Sequence, residues 1–148
     1  MFKGNNMNEE IILKSEDGVG IITLNRPERL NALTYNIVKK MNDFLDKCES
    51  DDDIKCVIIE GAGEKAFCAG GDVVSLRKQV LDEGGPPTEL SEKFFYDEYL
   101  LNYKINNFTK PYIALIDGVT MGGGVGVSMH GSHIAVSYTH LTLPTTYG

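Results

Sequence analysis

"KPYIALIDGVTMGGGVGVSMHG", residues 110–131, begins as an apolar run and turns into glycine, with four glycines in the five positions from Gly122 to Gly126. Tyr112 to Ile116 is continuous apolar sequence, the pattern of a strand covered on both faces. The glycines leave the backbone bare, so a ligand or another segment can approach it closely. A second stretch has the same order. "CVIIEGAGEKAFCAGGDVV", residues 56–74, reads as a buried strand, a glycine-rich turn and a helical start. The N–H groups that open a helix have no partner within it, and two such turns can converge on one oxygen atom. The plainer account, that glycines serve tight turns and close packing, suits either cluster alone better than it suits both in parallel.

Outward from these stretches, the chain predicts alternating strands and helices. "EEIILKSEDGVGIITLNRPERLNAL", residues 9–33, gives two β-rich runs, Ile11 to Lys14 and Val19 to Leu24, joined by the turn residues Asp17 and Gly18. Pro27 ends the second run, because it has no N–H to give a ladder. From Thr34, an N-cap residue, Ile37, Met41, Phe44, Leu45 and Cys48 recur at helical spacing. Cys56 to Ile59 then forms a covered strand, so strand, helix and strand make a crossover unit. "LDEGGPPTELS", residues 81–91, reads as a loop that could act as a lid, and Leu90 to Phe108 as a second helix ended by Lys110-Pro111. "HIAVSY", residues 133–138, is a further strand. The fold class is α/β with a mostly parallel sheet.

Composition narrows the function. The 148 residues carry a formal net charge of −7, the reverse of what a phosphate backbone requires, so nucleic acid is not an expected partner. Three cysteines without a C-x-x-C pair point to a reducing compartment. No stretch has the length of a membrane span and the start has no signal-peptide core, so the expectation is a soluble intracellular protein. Residues 1–10 read as a flexible N-terminus. Beyond Asp117 there is no Asp, Glu, Lys or Arg, and this abrupt loss of charge suggests that residues 139–148 are a non-native tail.

Several chemistries fit poorly. "GAGEKAF" lacks the last glycine of G-x-G-x-x-G, and no glycine run leads into Lys-Ser or Lys-Thr. "GVSMHG" has His130 where a nucleophile elbow around Ser128 needs glycine. His130 and His133 are three apart with no carboxylate downstream, so no metal site is expected. Glu98 is more informative. It falls in the stripe Phe94, Glu98, Leu101, Ile105 at spacings of four, three and four, so it either snorkels at the core edge or faces a cavity.

"ITLNRPERLNAL", "VIIEGAGEKAFCAGGDV" and "KPYIALIDGVTMGGGVGVSMHG", in this order, resemble the crotonase (enoyl-CoA hydratase/isomerase) superfamily, and in particular its 3-hydroxyisobutyryl-CoA hydrolase branch. The likeness covers residues 11–138. It implies a spiral of ββα units around a mostly parallel sheet, here incomplete at the C-terminus, and an acyl-CoA thioester as substrate. It places a backbone oxyanion hole on Gly71 and Gly123, where glycine leaves room for the thioester, and a substrate-contacting carboxylate on Glu98. Ala32, Ala69 and Asp72 match positions along the coenzyme A path. Family hydratases carry a catalytic Glu two positions after the triple glycine, where this chain has Gly126, which favours thioester hydrolysis in valine breakdown over hydration. The branch's other carboxylates follow the strand equivalent to "HIAVSY", but here Thr145 follows Pro144, so the chain as it stands is expected to be nearly inactive. An enoyl-CoA hydratase or isomerase and a non-catalytic acyl-CoA-binding protein are the alternatives. No cofactor is implied, since coenzyme A belongs to the substrate, and self-association and compartment stay open.

Overall fold

The computed structural model describes residues 9–85 and 88–137. The suggested tail, most of the flexible N-terminus, and Pro86 and Pro87 of the suggested lid lie outside them. The chain begins as a hairpin. Strands β1 (Ile11–Glu16) and β2 (Val19–Leu24) pair antiparallel from Ile11 opposite Leu24 to Glu16 opposite Val19. Asp17 and Gly18 both take positive φ, 49° and 82°, as a tight two-residue hairpin requires. Strand β1 therefore runs two residues past the expected Lys14.

Pro27 opens a short 3₁₀ turn, Pro27–Arg29, and Thr34 caps helix α1 (Tyr35–Ser50) by accepting from the Ile37 N–H. All five of the expected core residues of α1 are buried, Phe44 included. Strand β3 (Cys56–Gly61) returns parallel to β2, β5 (Tyr112–Ile116) parallel to β3, and β7 (His133–Val136) parallel to β5. The sheet order is β1-β2-β3-β5-β7. Helix α1 packs against this sheet through Ile37, Met41 and Leu45, with Ile22, Leu24, Val57, Ile59, Tyr112 and Ala114 in the same core cluster.

Two short strands were not legible in the sequence. Strand β4 (Ala66–Cys68) and strand β6 (Val119–Thr120) pair in parallel as a separate two-stranded sheet. Each leads into one of the glycine clusters, so their pairing sets the clusters side by side. After β4 comes α2 (Val73–Asp82), capped by Asp72, and after β6 comes α4 (Gly123–Met129). Helix α3 (Glu89–Asn106) starts with a capping box, in which Thr88 accepts from the Ser91 N–H and Ser91 Oγ accepts from the Thr88 N–H. The expected loop at 81–91 is thus only its middle, because α2 runs to Asp82 and α3 begins at Glu89.

Candidate active site

The two glycine clusters meet where β4 and β6 end. Gly71 forms a parallel bridge with Leu33, in which the Leu33 N–H donates to Gly70 O at 2.7 Å and the Asp72 N–H donates to Leu33 O at 2.8 Å. That pattern turns Gly71's own N–H away from Leu33, and no acceptor for it is found among the described residues. Gly123 opens α4, and its N–H likewise has no acceptor among the described residues. A Cβ built on Gly123 would lie 3.4 Å from Gly71 N, so the two donors belong to one small space. The same point is 2.6 Å from Glu98 Oε1 and 3.1 Å from Leu33 Cδ1. The structure therefore brings together Gly71, Gly123 and Glu98.

Glu98 is less buried than the other residues of its stripe. Phe94, Leu101 and Ile105 of its stripe are all buried, whereas Glu98 is half-buried and faces the glycines of α4. Its carboxylate stands at the core edge, with Oε1 against the open side of Gly123. Loss of hydration raises its carboxyl pKa above the ordinary glutamate range.

The glycines divide by purpose. Gly122 has φ of +50°, and Gly124 could not carry a side chain because its Cβ would lie 2.2 Å from Cys68 O. A Cβ on Gly126 would lie 2.7 Å from Oδ1 and 2.8 Å from Nδ2 of Asn102, whose amide covers that position. Close packing against backbone thus explains Gly124, whereas at Gly126 the neighbour is the amide end of one side chain. It does not explain Gly71, where a Cβ would meet only Phe94, at an ordinary 3.5 Å, with no positive φ. Gly71→Ala is accordingly expected to unfold in urea at the parent's midpoint or slightly above it, since alanine has fewer unfolded conformations to lose. A clear drop would show that the protein itself needs glycine there.

Asp72 differs from the expectation in detail. One carboxylate oxygen accepts from the Ser75 N–H at 3.0 Å, and the other from Ser75 Oγ and Arg26 Nη2, each at 2.9 Å. Burial would raise its pKa, but these hydrogen bonds and the Arg26 charge outweigh that and hold it below the usual carboxylate range. The carboxylate is thus engaged in capping α2 and pairing Arg26. The Ala32 carbonyl accepts from Arg26 Nη1 at 2.8 Å, and the Ala69 N–H donates to Leu30 O at 2.9 Å, so both alanines lie in the loops framing Gly71.

The other candidates stay apart from this space. Ser128 is fully buried and donates to Gly124 O at 2.7 Å, which leaves its hydroxyl with a structural role. His130 caps the C-terminus of α4 and His133 starts β7, so they share no helix face. Sequence reasoning missed Asn102 and Arg26. Asn102 follows Glu98 by four residues, a spacing that places both on one helix face and could have marked it.

Residues 19–146 match the enoyl-CoA hydratase/isomerase family. The chain is 46% identical over 138 residues to the mitochondrial 3-hydroxyisobutyryl-CoA hydrolase of Danio rerio, covering 93% of this chain and 35% of that protein. To the human protein of the same name it is 43% identical over 148 residues, covering 37% of that protein. It thus spans little more than a third of the length of these curated relatives. Among solved structures, a carnitinyl-CoA dehydratase from Mycobacterium thermoresistibile superposes with a TM-score of 0.81 at 43% identity, over 87% of this chain and 37% of that one. An enoyl-CoA hydratase from Rhodobacter sphaeroides gives 0.81 at 35% identity, over 86% and 37%. With a mostly parallel sheet, two converging glycine clusters and a match over residues 19–146, the chain belongs to the enoyl-CoA hydratase/isomerase family.

Proposed function

We propose that this chain supplies the thioester-polarising half of a 3-hydroxyacyl-CoA hydrolase site, of the kind named in its 3-hydroxyisobutyryl-CoA hydrolase relatives. What supports this reading is that Gly71 N and Glu98 Oε1 both lie close to the open side of Gly123, and that neither glycine N–H has an acceptor among the described residues. The thioester carbonyl oxygen accepts from both N–H groups. When water attacks the carbonyl carbon, negative charge develops on that oxygen, and a preorganised donor stabilises it by about 2.7–4 kcal/mol. Collapse of the tetrahedral species breaks the carbon–sulfur bond, and the departing thiolate takes a proton to give free coenzyme A. Glu98 lies beside the donors, where it accepts the hydroxyl of the acyl group.

The likeness to a solved carnitinyl-CoA dehydratase and a solved enoyl-CoA hydratase favours a second reading, water addition to an acyl-CoA double bond. Gly126 weighs against it, because it offers no carboxylate at that position, where the Asn102 amide packs instead.

The test pairs binding with turnover. A thioether analogue of 3-hydroxyisobutyryl-CoA is expected to bind more tightly than its deoxy counterpart by calorimetry, and the thioester to release only traces of thiol. Hydration of a 2-enoyl-CoA by this chain would overturn the hydrolase reading. Absence of any acyl-CoA binding would overturn both.

A further inference from the structure

Arg26 stands outside the space between the donors, yet its guanidinium holds both segments that frame Gly71. It donates through Nη1 to Ala32 O at 2.8 Å and through Nη2 to Asp72 Oδ2 at 2.9 Å. Ala32 directly precedes Leu33, and Asp72 directly follows Gly71. These are the two sides of the bridge whose hydrogen bonds turn the Gly71 N–H outward. The fork is well enclosed, with 12% of the Arg26 side chain and 10% of the Asp72 side chain exposed. A planar guanidinium can serve two acceptors in fixed geometry, which an ammonium cannot do.

The rest of the contact set makes this a fixed frame. Glu10 Oε1 lies 3.6 Å from Arg26 Nε, and Glu10 Oε2 accepts from Thr34 Oγ1 at 2.8 Å. The Arg26 N–H donates to Asn31 Oδ1, and Asn31 Nδ2 donates to the carbonyls of Ala62 and Ala66. The loop after β2 is thereby tied to the start of β4, the strand that delivers the AGGD turn. Removing one guanidinium would cut the link between Ala32 and Asp72, leaving Asp72 on Ser75 and the Leu33 bridge alone.

We infer that Arg26 is a positioning residue for the Gly71 donor, setting the angle of that N–H by clamping Ala32 to Asp72 across the Leu33–Gly71 bridge. The inference rests on the thioester reading proposed above. It does not make Arg26 a ligand-contacting group. Its effect on a bound thioester should exceed its effect on free coenzyme A, because only the thioester has a carbonyl for the Gly71 N–H to polarise.

The experiment uses 3-hydroxyisobutyryl-CoA carrying a ¹³C carbonyl, with the carbonyl stretch of the bound thioester read by difference infrared spectroscopy. Affinity for free coenzyme A, which has no acyl carbonyl, serves as the reference. In the parent the stretch should move to lower frequency. Arg26→Gln should lose most of that shift and weaken thioester binding relative to free coenzyme A by about tenfold. Arg26→Lys should recover part of it. Asp72→Asn, which keeps a good N-cap but removes the charged partner, should move in the same direction. A folded Arg26→Gln with the parent's full shift would overturn the inference alone. Loss of cooperative unfolding in both Arg26→Gln and Asp72→Asn would make Arg26 a purely structural residue and also overturn it. No shift in the parent would remove the thioester reading, and the inference with it.

Discussion

Gly124→Ala is expected to destabilise the protein by about 3 kcal/mol, at the upper end of the usual range for overpacking. The added methyl would lie 2.2 Å from Cys68 O and 3.0 Å from the Cys68 carbonyl carbon and Cβ. A side chain could rotate away, but the carbonyl belongs to β4 and is fixed from the end of β6, where the Met121 N–H donates to Cys68 O at 3.1 Å. Relief therefore means moving α4 away from β4. That movement also parts Gly123 from Gly71, so loss of stability and loss of thioester binding should appear together. Urea unfolding should show the lower midpoint with an unchanged slope. A Gly124→Ala variant with the parent's midpoint would mean that α4 and β4 pack more loosely than described.

How much of this could be read beforehand depends on the length of each signal. Helix α1 was legible because Ile37, Met41, Phe44, Leu45 and Cys48 repeat over about three turns behind a Thr34 cap. The hairpin was legible because Asp17-Gly18 is turn chemistry that few other pairs provide. Strands β4 and β6 have three and two residues, too few for any period to register, yet their pairing is what juxtaposes the clusters. Glu98 was found because a carboxylate interrupts an apolar stripe, whereas Arg26 was lost among turn residues, because its partners lie 6 and 46 positions away. A contact across 46 residues has no local signature. For Asp72 the resemblance implied a place along the coenzyme A path, and the structure shows its carboxylate committed to Ser75 and Arg26.

Glu98→Gln is expected to move stability and binding in opposite directions. Burial raises the Glu98 carboxyl pKa in the folded protein, while the unfolded chain keeps the ordinary value of about 4.3. Between those two values the folded state binds more protons than the unfolded state, so stability falls as pH rises through that window. Above the raised value the whole cost of holding a half-buried carboxylate is present; below the ordinary value both states are protonated and none of it remains. Glutamine cannot ionise, so the variant should be more stable than the parent at neutral pH, and the difference should vanish below the window. Binding should go the other way. Replacing the charged acceptor of the acyl hydroxyl by a neutral one should weaken the 3-hydroxyacyl analogue by about tenfold, the worth of a hydrogen bond to a charged group, and leave the deoxy analogue nearly unchanged. Unfolding curves from acid to neutral pH and calorimetry with both analogues give the two readings. If Glu98→Gln gains stability and loses hydroxyl selectivity, the protein retains a destabilising carboxylate because the ligand uses it. Equal stability across the pH range, or equal loss for both analogues, would remove Glu98 from that role.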